Sequence, residues 1–276
     1  MTLDPAAIAH WQEWVGRTET RTELLGLESL RRYAAALGER LDVETVSPSL
    51  AHWAFFLPAL APDQLGSDGH PRRGGFLPPV SLPRRMFAAA DMSFPALLLP
   101  GRQATRTSRI AGVTYKAGRS GDLILVEVEH EIEQAGQVRV RERRTIVYRD
   151  AGTPTRSVIP TEQAPATGTV TWLPTTVDLF RFSAVTFNSH RIHYDAPYAV
   201  GEEGYPGLVV HGPFTAARLF SLGASGGGAI RQFGFRALAP LFVDQPVTLV
   251  RGEDNSVAAI RCDGVTAMAA TFTCQK

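Results

Sequence analysis

Leu123–Glu133 reads LILVEVEHEIE, and Val138–Tyr148 reads VRVRERRTIVY. Apolar and polar side chains alternate in both, the period-2 pattern of an antiparallel strand with one buried face. Gln134-Ala135-Gly136-Gln137 between them fits a hairpin loop. Ser108–Val113 is a further extended segment, placed to pair with Leu123–Ile132. Upstream, Leu27, Leu30, Tyr33, Ala34 and Leu37 recur at helical intervals, and Gly38 is a helix stop. Between helix and strands lies GGFLPPVSLPRRMFAAA (74–90), a Gly/Pro turn leading into a second helical pattern from about Leu82.

The same order returns in the second half. A loop-and-helix region covers 180–200, and GYPGLVVHGPFTAARLF (204–220) matches the position of the Gly/Pro segment, with Pro213 suited to a first helical turn. Strand signals follow at Phe233–Val250, broken near Asp244-Gln245, and at Val257–Ile260 paired with Thr266–Thr273. Asp150–Gly168, DAGTPTRSVIPTEQAPATG, lacks apolar periodicity and reads as a linker. Long helices followed by antiparallel strands, repeated once, predict an α+β fold made by duplication, with curved sheet around long central helices.

Composition narrows the function. With 44% hydrophobic and 20% charged residues the chain is an ordinary globular protein, and its net charge of +1 removes the usual reason to expect nucleic acid or a membrane surface as partner. No apolar run reaches the length of a membrane span. The N-terminus does not read as a signal peptide, and two cysteines, Cys262 and Cys274, are too few for a disulfide framework. A cytoplasmic protein is expected. There is no glycine fingerprint for a dinucleotide, no P-loop and no zinc-ligand spacing, so no cofactor is implied. What stands out is Phe187–Asp195, FNSHRIHYD. Three of the seven histidines fall between His190 and His211, a density of proton-moving groups that points to catalysis.

FSAVTFNSHRIHYDAPYA (182–199) and EGYPGLVVHGP (203–213) carry a resemblance that extends over nearly the whole chain. The chain resembles the MaoC-like, type-2 enoyl hydratase superfamily, within its double-hotdog branch of itaconyl-CoA and mesaconyl-C4-CoA hydratases and 3-hydroxyacyl-thioester dehydratases. The resemblance implies an N-terminal hotdog module of FAS1-like dehydratase type over 1–150, non-catalytic and forming a substrate tunnel. It implies a linker over 151–168 and a catalytic module over 169–276. Where the wider family has an aspartate five residues before a histidine, this chain has Asn188 and His193.

Hydration of a thioester-conjugated double bond needs a base, an acid and donors for the enolate oxygen. The resemblance makes His193 the base; a histidine satisfied by a backbone bond is the other reading. Asn188 cannot be a base, but its amide can hold the attacking water. A spacing of five turns about 140° on a helix, so the two converge from an irregular loop. Gly212, ahead of Pro213, is placed by the resemblance at the thioester carbonyl, where helix-start N–H groups bind a developing oxyanion; a plain helix-starting turn is the other reading. Tyr205 and His211 are pocket lining on the same basis. His190 supplies a charge or a proton, or is a turn residue, and Asp195 is a candidate N-cap. Arg191 faces a substrate carboxylate or CoA phosphate, or solvent. Arg72, Arg73, Arg84 and Arg85 form a cluster suited to the same anions, or a solvated face.

The stretch AAALGERLDVE (34–44), at the repeat position of the catalytic loop, holds no histidine. The expected reaction is hydration of an acyl-CoA, itaconyl-CoA or mesaconyl-C4-CoA to citramalyl-CoA, with possible homodimerisation. The alternatives are a fatty 3-hydroxyacyl-thioester dehydratase, a hotdog thioesterase and a silent acyl-binding module.

Overall fold

The computed structural model describes residues 3–118, 121–151, 155, 157–161 and 168–275. The first five strands are β1 (Thr18–Leu24), β2 (Arg84–Ser93), β3 (Gln103–Gly118), β4 (Gly121–Gln134) and β5 (Gln137–Arg149). The next five are β6 (Thr169–Trp172), β7 (Ile230–Ala237), β8 (Val247–Arg251), β9 (Ser256–Ile260) and β10 (Thr266–Cys274). All ten form one sheet in the order β1-β3-β4-β5-β2-β7-β10-β9-β8-β6. Once β1–β5 are matched with β6–β10, this order reads the same from either edge. The seam is β2 against β7, antiparallel from Ala89↔Arg236 to Ser93↔Gln232.

Among the described residues five α-helices accompany the sheet: α1 (Pro5–Gln12), α2 (Leu27–Leu37), α3 (Thr176–Val185), α4 (Ala196–Gly201) and α5 (Gly212–Ala224). Helix α5 packs against β7, β8, β9, β10 and β2. Its buried residues are mostly small, Ala216, Ala217 and Gly223 among them, which lets the strands come close on several sides. At Gly223 an added Cβ would lie 3.2 Å from the Phe272 ring. Helix α2 ends as its glycine requires: Gly38 is left-handed (φ 73°) and donates to Ala35 while Glu39 donates to Ala34.

The strand pairs β3/β4, β4/β5 and β9/β10 follow the alternation in the sequence, and Ala135 and Gly136 turn the β4–β5 hairpin at positive φ. The helix expected from Leu82 is not present. Arg84–Ser93 is β2, the central strand paired with both β5 and β7. Met86, Phe87 and the alanines 88–90 suit either state locally, and two flanking strands offering hydrogen-bond partners decide for the sheet. Among the described residues, 38–83 contain no α-helix to match α5, only short 3-10 turns at Ala51–Ala54 and Pro62–Gln64. Of the expected linker, residues 152–154, 156 and 162–167 lie outside the described residues. Around them, Thr155 donates to Gly204 and Thr161 to Cys262.

One loop from the first half is bolted to the second. Ser189 Oγ donates to the Gly69 carbonyl (2.5 Å), the Arg191 amide to Asp68 (2.9 Å) and Arg191 Nη1 to Ser67 (3.0 Å). Gly69 is left-handed (φ 84°), and a Cβ there would lie 1.8 Å from the Ser189 carbonyl oxygen. Gly136 has a similar φ of 72° with nothing within 4 Å. Gly136→Ala should cost only the about 1–2 kcal/mol of left-handed strain. Gly69→Ala should melt well below it and lose activity, because the loops must separate. Paired thermal melts check this, and equal losses would mean that the docking contributes nothing.

Candidate active site

The loop after α3 is built by its helix stop. The Asn188 amide donates to Ser183 and the Phe187 amide to Ala184, with Phe187 left-handed (φ 46°). This is the same double-bonded termination that Gly38 makes after α2. Asn188 therefore occupies the position that Glu39 holds in the first half. Its Oδ1 accepts from the His190 amide at 3.0 Å, which fixes which end of the amide is oxygen and leaves the NH2 group for another partner. A 3-10 turn, Arg191–His193, follows, and Asp195 then caps α4 by accepting from Tyr198. The irregular loop expected from the Asn188/His193 spacing is this turn.

His193 is buried, and its Nδ1 lies 2.7 Å from the Val209 carbonyl oxygen. A carbonyl only accepts, so Nδ1 carries the proton and Nε2 keeps a lone pair. Val209 is itself held, donating to Ile192 while Val210 donates to Leu241. Burial pushes the His193 imidazole down to about 4, against an upward pull from the Val209 bond, with His70 adding a downward push. His211, fully buried, stacks on His193 at 3.6 Å and shares a hydrogen bond between Nε2 and Ser183 Oγ. Burial, then His193 and His190, hold it well below the ordinary imidazole range.

His190 stands edge-on to His193 at 5.3 Å and lies against His70 at 4.0 Å. Burial first, then His70 and His193, keep His190 far below the ordinary value. His70 Nδ1 is 3.2 Å from Asp68 Oδ2. Burial lowers His70 despite that bond; burial pushes Asp68 up, but its bonds and attraction to His70, with Arg85 nearby, hold it below the usual carboxylate range. Neither Asp68 nor His70 was singled out from the sequence. The available signal was the pair of glycines, Gly66 and Gly69, around them, marking a close backbone approach.

These groups open on a cavity of about 1620 Å³. His193, His190, Asn188, Tyr205, His70 and Gly212, the first residue of α5, all line it. His211 does not line it and instead backs His193. Of the five arginines expected to meet substrate, Arg72, Arg73 and Arg85 line it, and Arg21, Arg106, Arg144 and Arg149 line it as well. Arg72 is exposed and donates to the Leu65 carbonyl, while Arg73 clamps the carbonyls of Val80, Leu82 and Pro83. Arg84 is buried away from the cavity lining, with Nε 3.3 Å from Glu203 Oε2. Arg191 is also outside the lining, bound through Nε and Nη2 to Asp195 and lying over Tyr198. Among the described residues no group of histidine, cysteine and acidic side chains could hold a metal ion, and no helix is long and apolar enough to cross a membrane.

The sequence model of the hydroxyacyl-thioester dehydratase type 2 family matches residues 50–243. Mesaconyl-C(4)-CoA hydratase of Chloroflexus aurantiacus is 44% identical over 272 residues, covering 95% of this chain and 97% of its own. Among solved structures, HtdX of Mycobacterium tuberculosis superposes with a TM-score of 0.70 at 18% identity, over 94% of this chain and 100% of its own. A conserved protein of M. tuberculosis with a double hotdog fold superposes at 0.57 with 10% identity, over 94% and 95% of the two chains. The sheet described above is that fold.

Five histidines, His70, His130, His190, His193 and His211, are held below the ordinary imidazole value in the fold, burial being the largest cause for each. Unfolded, they bind protons below about pH 6.5. The unfolded state then holds more protons than the folded one, so stability rises with pH in this window and falls as pH drops. The urea midpoint should fall steeply between pH 7 and pH 5, with more than one proton taken up per molecule unfolded. A flat midpoint would contradict neutral buried imidazoles.

Proposed function

The chain belongs to the hydroxyacyl-thioester dehydratase type 2 family, and from that premise we propose that it hydrates an acyl-CoA double bond conjugated to the thioester, as in mesaconyl-C4-CoA giving citramalyl-CoA. The observation that carries this reading is the His193 tautomer. With Nδ1–H given to Val209, Nε2 is left as a neutral acceptor on a residue that lines the cavity together with Asn188 and Gly212.

Nε2 of His193 takes a proton from water while the Asn188 amide orients it. The water oxygen bonds to the β-carbon, and the π electrons move toward the thioester oxygen. Gly212, opening α5, puts a free helix-start N–H and the positive end of the helix dipole at that oxygen. The proton on His193 then passes to the α-carbon, so water has been added and the imidazole is neutral again. His190, whose basicity burial suppresses, is a poor proton donor in this scheme and serves to wall the site.

An imidazole with a pKa of about 4 is a weak base in the empty site. A negatively charged acyl group in the cavity raises it, because a nearby anion favours the imidazolium. The length and identity of the match to mesaconyl-C(4)-CoA hydratase support the same dicarboxylic substrate class. We assign catalysis to 169–276 and the chamber to 1–150, with Asp68 and His70 as the first half's contribution to the site. Exposed Arg72, at the cavity's outer rim, suits CoA phosphates.

His193→Ala should lower hydration by at least about 10²-fold with an unchanged circular dichroism spectrum, followed as loss of the conjugated enoyl absorbance. Activity should fall on acidification through about pH 4 in kcat/KM rather than near 6.5, because the folded imidazole protonates there. Asn188→Ala should slow the reaction, and Asn188→Asp should retain activity if holding water is the residue's task. Release of free thiol with no hydroxyacyl thioester formed would make the protein a thioesterase, and full turnover by His193→Ala would move the base elsewhere.

A further inference from the structure

Far from the outer rim, the cavity meets the inner face of the first-half sheet, where its lining residues His52, Trp53, Phe55 and Phe56 are buried. A polar row crosses that face: Glu19↔Ser108, Ser108↔His130 and His130↔Glu142 are successive cross-strand partners on β1, β3, β4 and β5. Two residues along β5 from Glu142, on the same face, stands Arg144, opposite Val128. An apolar acyl tail has no use for such a row.

Glu142 is the anchor. It accepts from Trp53 Nε1 (3.2 Å) and from Arg144 Nε and Nη2 (2.9 and 3.2 Å), and His52 Nε2 approaches it at 3.3 Å. These bonds fix the Arg144 fork and take up one edge of it, leaving Nη1 without a partner among the described residues. The guanidinium lines the cavity and lies 4.5 Å over the Phe87 ring. The Phe87 carbonyl oxygen is 3.7 Å from where a Cβ of Gly212 would be. A single residue therefore separates the Arg144 fork from the thioester position. Around it, the cavity-lining Arg21, Arg106 and Arg144 meet two cavity-lining carboxylates, Glu19 and Glu142, one positive charge in excess, while exposed Glu23 lies outside the lining on the Phe56 amide. Arg106 Nε and His130 Nε2 here are buried and have no hydrogen-bond partner among the described residues.

We propose that Arg144, held by Glu142, binds the free carboxylate of the acyl group and so selects dicarboxylic thioesters. The inference rests on the hydratase reading above and names the residue that sets its substrate class. A pre-aligned guanidinium edge suits a carboxylate, and the excess charge neutralises it without leaving a buried ion unpaired. Arg85, on the other side of Phe87 along β2, already shares its field with Asp68. Arg84 and Arg191 are paired elsewhere.

Removing Arg144 alone strands the Glu142 charge, so the test uses E142Q/R144M, which removes both charges, beside Arg144→Lys, which keeps charge and loses the fork. Each is assayed on mesaconyl-C4-CoA and on neutral crotonyl-CoA, and titrated calorimetrically with the saturated pair methylsuccinyl-CoA and butyryl-CoA. The double variant should lose about 10- to 100-fold in kcat/KM on the dicarboxylic substrate, mainly through KM, and much less on crotonyl-CoA. The unmodified protein's preference for methylsuccinyl-CoA over butyryl-CoA should shrink in both variants. Equal losses on both substrates, or an unchanged preference, would overturn the role of Arg144 while leaving the hydratase reading standing. An unmodified protein that hydrates only crotonyl-CoA would overturn the dicarboxylic reading and this inference together. One that hydrates neither would overturn the hydratase reading itself. Should the double variant fail to fold, the Arg144→Lys titration decides alone.

Discussion

The pairing of β2 with β7 is the interaction on which the rest of the molecule depends. Five residues of each strand, Ala89–Ser93 and Gln232–Arg236, close what would otherwise be two open sheet edges. The same strand forms the roof of the site. Its register against β5 shifts between Phe87 and Ala89, and Phe87 sits next to the start of α5 with its ring against Trp53, Phe235 and Arg144. A bulge that re-aims a side chain is expected where a sheet also builds a pocket. Moving β2 by one residue would turn Arg85 and Phe87 out of the cavity and bring Arg84 in.

The second constraint is the loop 66–70, whose backbone is docked on Ser189–Arg191. It closes the histidine group from outside, stacking His70 on His190, and that closure is what takes water away from His193. Desolvation keeps the His193 imidazole neutral and also makes it weakly basic. The two effects are reconciled only when an anion enters, since the low dielectric that penalises an imidazolium in the empty site strengthens its attraction to a bound carboxylate. On the proposed mechanism, substrate charge then contributes to catalysis as well as to recognition.

Much of this was legible in the residues, and where it was not the reason is physical. The long strands β3 to β5 show their alternation because one face of each is buried. Strand β1, TETRTEL, is an exposed edge with polar side chains on both faces, and four-residue β6 is too short for periodicity. The end of α2 is announced by Gly38, but α3 ends in the same geometry at Phe187, a residue that gives no such signal. β2 resembles a helix because Met and Ala suit both states, and only its neighbours in space decide. His193, Asn188 and Gly212 share one short stretch and converge on one cavity wall, whereas Asp68 and His70 lie 120 residues away and join only through tertiary docking. Glu142 and Arg144 did leave a trace: they occupy inward positions in VRVRERRTIVY, where the strand pattern calls for apolar residues.

The asymmetry between the halves then has one physical reading. In the second half α5 fills the concave side of the sheet with small and apolar residues. In the first half, residues 38–83 cover the sheet with turns and extended chain, so the inner faces of β4 and β5, including Val128, His130, Arg144 and Ile146, border open cavity. A sheet face packed against a helix selects apolar side chains, because an unpaired buried charge costs several kcal/mol. A face that borders a chamber is free to carry Glu142 and Arg144, and keeping them there has a use only if something charged arrives to meet them. On the proposed mechanism the base and the space it acts on thus come from opposite halves, each half carrying what the other's packing excludes.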